Sequence, residues 1–310
     1  MPHALSKSRI MQGRQCAKAL WLRTHQPELA EYGAQTLAAF ARGTSVGELA
    51  QQLFPGGRDA TEGLDYPNHV AVGRTAAWIE AGQEVIYEAT FVQNDPVRIL
   101  VAVDLLVRGA DGWHAYEVKS STSVKDQYIP DAAVQWMVMQ AAGLDVRSIS
   151  IVHINNQYER RGDLDVQQLF TIEDVTDQVI EAVDELPGLT RELVEVMDLD
   201  EPPAVDIGPH CSDPYACAFM HHCWAHVPSG RSVFDVGGLR AKKKWALYEE
   251  GIVEMTDIPA NAPLSPKQRE QVDMARSGET IVRTETIRER RGQLTWPVRH
   301  PDYETFRLAI

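Results

Sequence analysis

The sequence has no apolar stretch long enough to cross a membrane, and its first residues lack the apolar block of a secretory signal peptide. We therefore expect a cytoplasmic protein that does not enter a membrane. It contains no internal repeat and no low-complexity tract. A chain of 310 residues is long enough for a sizeable core, in one large domain or two.

Basic residues are scarce, and the formal net charge is −14. This excess of acid argues against a nucleic-acid binder, but it is uneven: residues 173–206 contain twelve acids and one base, whereas residues 1–25 contain no acid. Local potential steers a polyanion more than total charge does. A basic N-terminal arm is therefore a candidate DNA-binding element, with Lys7, Arg9 and Arg14 as contacts. A solvated terminus is the alternative.

Cysteine is also scarce, and Cys-x-x-Cys pairs are absent. Cys16 lies near the start, and Cys211, Cys217 and Cys223 follow one another with five intervening residues. Disulfides are rare in the cytoplasm, so a metal centre is favoured, either zinc or an iron–sulfur cluster. Nearby histidines keep a mixed zinc site open, and four free cysteines are the remaining alternative. One shared centre would tie the start of the domain to its end.

The most informative feature is a predicted hairpin that carries charged residues on one face. Two alternating apolar runs flank a glycine-containing turn: residues 99–107, 109–112 and 113–119. A turn centred between residues 110 and 111 places Asp104 opposite Glu117, with Lys119 on the same face. The other face is predicted to be core, and it consists of Val101, Val103, Leu105, Val107, Tyr116 and Val118.

Asp104 and Glu117 suggest a cation site. Two carboxylates set opposite each other repel, and carboxylate oxygens are preferred ligands of Mg²⁺ or Mn²⁺. The pattern predicts a metal site with an amine beside it. The alternative is an ordinary solvated face of an antiparallel sheet.

The remaining periodicity predicts an α/β protein. Predicted helices cover residues 34–53, 131–142, 174–186 and 189–199, and predicted strands cover residues 85–92, 97–107, 113–119 and 148–154. Beyond Ser229 the pattern changes to short helices joined by a polar, proline-containing connection.

Several motifs together resemble the RecB-like branch of the PD-(D/E)xK nucleases. They are E-A-T-F at 88–91, V-D-L-L at 103–106, Y-E-V-K-S-S-T at 116–122, and Gln135. The split cysteines resemble the iron–sulfur subset, which includes CRISPR-associated RecB-like exonucleases and the nuclease domains of some helicase–nucleases. The start of the chain is similar to an uncharacterised bacterial family that begins L-S-K-S-R…C-x-K-x-L-W-L. The resemblance covers residues 5–226.

The resemblance implies a restriction-endonuclease-like core, in which a mixed central sheet is flanked by helices, and a site that binds Mg²⁺ or Mn²⁺. Asp104 and Glu117 would ligate the ion, helped by the Val118 carbonyl. Lys119 would position the attacking water and stabilise charge on the phosphate. The four cysteines would hold a structural 4Fe-4S cluster.

Some positions depart from the family pattern. Gln135 matches an element that contacts DNA, but Met139 stands where tyrosine is usual. Gly47 occupies the position of a histidine ligand found in many relatives. Glu88 is the predicted substitute ligand, provided that its strand pairs in even register with residues 102–104. The alternative for Glu88 is a structural role in a salt bridge.

These patterns predict three regions. Residues 1–228 would form the nuclease domain closed by the cysteine site, and residues 229–295 a small helical region. Residues 296–310 contain D-x-E-T, which resembles the opening of RNase H-like exonuclease domains, and we expect a truncated stub there. A polar tail with a coincidental motif is the alternative.

We predict a metal-dependent deoxyribonuclease that acts on single-stranded DNA or DNA ends. One rival is a catalytically inactive nucleic-acid-binding platform for a missing exonuclease domain, and another is a zinc-stabilised protein-interaction domain. Cutting polarity, oligomeric state and any repair or defence partners stay open.

Overall fold

The computed structural model describes residues 4–295, 297, 299, 301 and 302. The chain divides into two compact units, and the second begins at His221. The predicted boundary after residue 228 lies further along the chain. Residues after His221 belong to the second unit because the Trp224 ring packs on Phe234 and Trp245, with ring centroids 4.9 and 5.7 Å away. No helix among the described residues has the length and apolar character needed to span a membrane.

The first unit is built on one sheet. Its strands are β1 Leu5–Ser6, β2 Arg58–Asp59, β3 Val85–Gln93, β4 Ile99–Arg108, β5 Trp113–Lys119, β6 Val146–Ile154 and β7 Phe170–Asp174. Its helices are α1 Lys7–Gln15, α2 Ala17–His25, α3 Ala34–Ala50, α4 His69–Glu80, α5 Tyr128–Ala141, α6 Val166–Leu169, α7 Thr176–Val183 and α8 Leu186–Met197. The short helix α9, Met220–Cys223, follows.

The sheet is mixed, with strand order β2-β3-β4-β5-β6-β7 and β1 added beside β4. The β3–β4, β4–β5 and β6–β7 pairs are antiparallel, whereas β5–β6, β2–β3 and β1–β4 are parallel. Helices pack against the sheet, and α5 contacts β3, β4 and β6. The predicted fold class is confirmed: a mixed central sheet flanked by helices, consistent with a restriction-endonuclease-like core.

The predicted hairpin is present in the predicted register. Leu105 pairs with Tyr116, and the ladder runs from there to the turn. The turn closes through the Gly109 N–H, which donates to the Gly112 carbonyl at 2.7 Å, and Gly112 has φ 144°, where a side chain would be strained. The local turn therefore sets which residues of the two strands lie opposite each other.

The edge of β4 that faces β5 is shared by two strands. β5 pairs with residues 105–108, and β1 pairs with residues 99–100. In the interval between these two ladders, side chains make hydrogen bonds to the backbone: the Gln135 amide donates to the Ala102 carbonyl at 2.8 Å. The divergence of β1 and β5 thus opens a space in which polar side chains meet.

The hydrophobic core has separate clusters, and the prediction of one apolar face on the hairpin is wrong. Val101 and Val103 belong to the cluster that contains Leu106, whereas Leu105 and Tyr116 belong to another. The alternation breaks at Glu88, which has φ 50° and lies opposite Asp104 in the β3–β4 register. A non-glycine residue in this region is uncommon and marks a local irregularity.

The second unit contains α10 Ala241–Glu249, α11 Pro266–Ser277 and α12 Thr284–Gly292. Its own core consists of Val233, Val236, Leu239, Met255, Ile258 and Val272. The prediction of short helices beyond residue 229 is confirmed. The predicted stub at 296–310 falls mostly on residues that the structure does not describe, and of its D-x-E-T motif only Asp302 lies among the described residues.

Candidate active site

Glu117 is the centre of a buried polar cluster. Its side chain is only 3% exposed. Oε1 lies 2.7 Å from Lys7 Nζ and 2.7 Å from Lys119 Nζ, and Oε2 accepts from Gln135 Nε2 at 2.6 Å. Three residues predicted to be functional, Lys7, Lys119 and Gln135, therefore meet around the carboxylate of Glu117.

Lys7 reaches this cluster because of the short parallel ladder between β1 and β4. Leu5 pairs with Ile99, and the helix α1 begins directly afterwards, with Ser6 as its N-cap. The Ser6 hydroxyl accepts from the Arg9 N–H at 3.3 Å, as an N-cap residue does. Lys7 was predicted to contact DNA, and the structure places its amine on Glu117.

Asp131 is a member of the cluster that sequence reasoning missed. Its Oδ2 lies 2.5 Å from Lys119 Nζ and 3.7 Å from Lys7 Nζ. A signal was present in the sequence: Asp131 and Gln135 are spaced four apart in a mostly apolar helix, so they share one face. Both side chains point from α5 towards the same carboxylate, Glu117.

Asp104 lies beside Glu117 in the neighbouring strand. Its Oδ2 accepts from the Val118 N–H at 2.6 Å. Val118 was predicted to offer its carbonyl to a metal, and the structure shows its amide hydrogen bond to Asp104. Burial raises the pKa of Asp104 well above its usual range, and the charge of Glu117 adds to this shift.

Glu88 meets the register condition set by the sequence. Residues 87 and 89 pair with 105 and 103, so Glu88 lies opposite Asp104. Burial raises the pKa of Glu88 to about 7, and the charges of Asp59 and Glu117 contribute. Glu88, Asp104 and Glu117 therefore form a set of mutually repelling carboxylates on three adjacent strands.

The two lysines keep Glu117 ionised. Burial by itself would raise the pKa of Glu117, but Lys119 and then Lys7 lower it well below the usual range. Burial likewise works against the charged amine of Lys119, yet Glu117 and Asp131 raise its pKa well above the usual value. Both lysines are therefore cationic and Glu117 is anionic at any physiological pH.

We expect Glu88 to make stability fall as pH rises when divalent ions are chelated. A carboxyl whose pKa is raised on folding stabilises the fold below its unfolded pKa of 4.5, and this contribution is lost as pH rises through about 7. Relative to Glu88→Gln, the wild type should lose at most about 3 kcal/mol between about pH 5 and pH 8. Urea unfolding in EDTA at the two pH values measures this difference.

The pKa of Asp104 is raised as well, and Asp104 is present in both the wild type and Glu88→Gln. The difference between their stability profiles therefore isolates the contribution of Glu88. Glu117 and the lysines do not titrate in this window. Parallel pH profiles for the wild type and Glu88→Gln would show that Glu88 keeps an ordinary pKa in the folded protein.

The carboxylate set suits a hard divalent cation by its chemistry. Glu88, Asp104 and Glu117 offer oxygen donors. Burial and mutual repulsion raise the pKa values of Glu88 and Asp104, and a cation among the three would relieve the repulsion. Among the described residues, no group of three or more His, Cys, Asp or Glu side chains is arranged as a finished metal site. Side chains of this set would have to turn to share one ion.

Gln135 is fully buried, and its position fits a role inside the site. Its amide nitrogen donates to Glu117 and to the Ala102 carbonyl, while its Oε1 has no hydrogen-bond partner in the described structure. A buried acceptor of this kind suits a water or a hydroxyl donor beside Glu117. The predicted DNA contact would require an exposed amide, and Gln135 is 0% exposed. Met139, four residues on, lies in the core.

His153 is a second residue that sequence reasoning missed. It pairs with Lys119 in the parallel β5–β6 ladder, so the two side chains lie on one face of neighbouring strands. His153 is buried, and its Nε2 lies 2.6 Å from Glu173 Oε1 on β7. This pair borders the site on the side of β6.

The cysteines fall into different parts of the fold. Cys16 lies between α1 and α2, and Cys211 and Cys217 lie in the loop after α8. Cys223 belongs to the second unit. None of the four forms a disulfide. The start of the chain is tied to the cysteine loop by the Gln15 amide, which donates to the His210 and Tyr215 carbonyls, each at 2.7 Å.

Two thiols accept backbone hydrogen bonds. The Gly208 N–H approaches Cys211 Sγ and the Phe219 N–H approaches Cys217 Sγ, both at 3.5 Å. Burial raises the pKa of the Cys16 thiol, and Cys211 is close enough to contribute. Thiols near one another with N–H donors suit a metal or cluster by their chemistry, although they form no completed metal site in the described part of the chain.

The other predicted DNA contacts lie on α1. Arg9 Nη1 donates to the Ala4 carbonyl at 3.0 Å, so its guanidinium folds back along the chain. Arg14 is exposed in the last turn of α1. The basic arm is thus a helix beside the carboxylate cluster, with Lys7 turned inward and Arg14 facing solvent.

No protein-family model and no curated protein matches the chain. Among solved structures, the chain is similar to an alkaline exonuclease, LHK-Exo, from Laribacter hongkongensis. Its complex with dAMP aligns with a TM-score of 0.35 and 16% identity, over 62% of this chain and 89% of that chain. A second crystal structure of the same exonuclease aligns with a TM-score of 0.27 at the same identity and coverage.

Proposed function

We propose that the protein is a metal-dependent DNA nuclease that hydrolyses phosphodiester bonds. The observation that carries this proposal is the arrangement around Glu117: Asp104 on the next strand, Lys119 in contact, and Glu88 opposite Asp104. Acidic ligands for a cation with an adjacent protonated amine suit hydrolysis of a phosphodiester, because negative charge develops on the phosphate.

Glu88, Asp104 and Glu117 would hold Mg²⁺ or Mn²⁺, which supplies Lewis-acid chemistry when bound. Lys119 stays protonated and donates to the substrate phosphate, stabilising the charge that develops there. Asp131 holds Lys119 at 2.5 Å and fixes where its amine lies. Gln135 holds the second oxygen of Glu117 and so sets the plane of that carboxylate.

DNA is the proposed polymer, bound as single strands or at ends. Exposed Arg14, on the basic helix next to the cluster, offers a contact for a phosphate away from the reacting one. The acidic segment 173–206 would face away from the nucleic acid because like charges repel.

The proposal is tested with end-labelled single-stranded DNA and the full chain, purified anaerobically. We expect degradation with Mn²⁺, none with EDTA, and an activity that follows the protein peak through gel filtration. An activity that separates from the protein would be a contaminant and would count against the proposal.

If the protein binds the DNA but does not cleave it with Mn²⁺, the other function considered is favoured, an inactive nucleic-acid-binding platform. Met139 and Gly47, which replace residues usual in the resembled family, are the features that favour this alternative.

We also propose that Cys16, Cys211, Cys217 and Cys223 hold a 4Fe-4S cluster with a structural role. The proposal is supported by four cysteines without disulfides, by the N–H donors to Cys211 and Cys217, and by the nearness of Cys16 to Cys211. A cluster there would fasten α1, and with it Lys7, to the end of the first unit.

Cys211→Ala is expected to abolish the cluster. Wild type purified anaerobically should be brown with roughly four iron atoms per chain, and the variant should be colourless and less stable. Ser212→Ala, which changes the neighbouring residue, is the matched control and should keep its iron. Zinc in a colourless wild type would instead favour the zinc-stabilised domain.

A further inference from the structure

Lys7 and Lys119 share one carboxylate oxygen but are held differently. Both amines lie 2.7 Å from Glu117 Oε1. Lys119 has a second short partner in Asp131 at 2.5 Å, whereas Lys7 is 3.7 Å from that carboxylate. Lys119 is therefore held by two carboxylates. Lys7 has one short contact, which it can give up for another anion.

Both lysine side chains are partly exposed. The side chain of Lys7 is 21% exposed and that of Lys119 is 19% exposed, while Glu117 between them is 3% exposed. Burial opposes the charged form of Lys7, but Asp131 and then Glu117 raise its pKa above the usual value. Two cations therefore flank one buried anion, and part of each lysine side chain is open to solvent.

A phosphodiester brings one negative charge and gains more in the transition state of its hydrolysis. One lysine held in a fixed position can donate to one oxygen of the phosphate. A second lysine that can leave its carboxylate is suited to another oxygen, because an ammonium turns its donors freely on a flexible stem.

We propose that Lys7 is a second catalytic lysine, whose amine leaves Glu117 to bind the substrate phosphate beside Lys119. This inference rests on the proposed function and extends it, since the resembled active-site pattern contains one lysine, Lys119. On this proposal, the first turn of α1 contributes Lys7 to the reaction centre. It does more than form part of a basic arm that binds DNA at a distance.

The test compares Lys7→Gln, Lys7→Arg and Arg98→Ala with the wild-type chain. Lys7→Gln removes the charge but keeps a donor for Glu117, and Lys7→Arg keeps the charge. Arg98 is exposed next to the β1–β4 ladder and serves as the matched control, because it carries the same charge as Lys7 near the same strand pair.

The first measurement is the affinity for end-labelled oligothymidylate in EDTA at several salt concentrations. For single strands the slope of log K against log salt is about −0.7 for each phosphate neutralised. Lys7→Gln should flatten the slope by about 0.7, while Lys7→Arg and Arg98→Ala leave it unchanged. A merely structural role for Lys7 would not change this slope.

The second measurement is cleavage with Mn²⁺. We expect kcat/KM to fall about 10- to 100-fold in Lys7→Gln, as for loss of one hydrogen bond to a charged group, with partial recovery in Lys7→Arg. An unchanged salt slope in Lys7→Gln would overturn the proposal. Faster cleavage by Lys7→Gln at low Mn²⁺ would also overturn it, because Lys7 would then compete with the metal for Glu117.

The outcomes separate this inference from the proposed function. Binding in EDTA involves no hydrolysis, so the salt slope reports on Lys7 even if the wild type proves inactive. If Lys7→Gln does not fold, the same slope is measured for Lys7→Met, which keeps the length of the side chain without its charge. A slope flatter by about 0.7 supports the proposal, and an unchanged slope overturns it.

Discussion

Lys119→Ala is expected to lower kcat for Mn²⁺-dependent cleavage of single-stranded DNA by about 100- to 1,000-fold. The amine of Lys119 is held by Glu117 and Asp131 at 2.7 and 2.5 Å, so its position is set before the substrate arrives. A donor that is already oriented loses little energy in reorganising as charge develops on the phosphate, and alanine cannot replace it. Single-turnover cleavage of an end-labelled oligonucleotide measures the effect on the chemical step.

Lys125→Ala is the matched control for Lys119. Lys125 is exposed in the loop between β5 and α5, and its removal takes away the same charge without touching the cluster. We expect cleavage by this variant to stay within about twofold of the wild type. Equal rates for Lys119→Ala and the wild type, with both folded, would place the chemistry elsewhere in the chain.

Glu117→Ala is expected to lower the free energy of unfolding by about 3–5 kcal/mol. Glu117 accepts from both lysines and from Gln135, and its removal leaves Lys7 and Lys119 in a poorly solvated place with Asp131 as the one remaining anion in contact. Breaking a buried ion cluster by deleting one partner costs more than the pair contributes, because a charge is left uncompensated. Urea unfolding in EDTA measures this loss.

Two further variants define the origin of that loss. Glu159→Ala removes a glutamate paired with Arg161 on the surface, where the side chains are 75% and 85% exposed, and should change stability by less than about 0.5 kcal/mol. Glu117→Gln keeps the hydrogen bonding shape without the charge and should be intermediate. A stability loss in Glu117→Ala no larger than that in Glu159→Ala would contradict a buried cluster at this position.

The hairpin was predictable because its information is local. Alternating apolar residues in two runs, joined by a glycine-containing turn, set both the strands and their register, and the observed pairing of Leu105 with Tyr116 follows the prediction. The proximity of Asp104, Glu117 and Lys119 depends on little else. The predicted helix at 34–53 and the strand at 148–154 are likewise present, as α3 with a short 3₁₀ turn and as β6.

The assignment of the hairpin's apolar face failed for a reason that is not local. Strict alternation assumes regular extended backbone, but Glu88 on the neighbouring strand adopts φ 50° and the pattern changes where it meets Asp104. None of the residue types in E-A-T-F predicts a positive φ. The backbone there is set by packing on both sides of the sheet.

The positions of Lys7 and Asp131 beside Glu117 could not be predicted from sequence patterns. Lys7 lies 110 residues from Glu117 along the chain, and its placement depends on a two-residue strand too short to carry a periodic signal. Asp131 did carry a signal, as a polar residue four positions before Gln135 in a mostly apolar helix. What it faces depends on how α5 lies over the sheet.

The sequence by itself determined the α/β class, the hairpin and the set of side chains able to bind a cation, because these depend on short-range periodicity and turn chemistry. Tertiary structure alone decided that two lysines and Asp131 surround Glu117, that Gln135 is buried, and that the second unit begins before Cys223. Those features arise from contacts between distant segments. Their energies depend on burial and on the distance between charges, which no local pattern of residues contains.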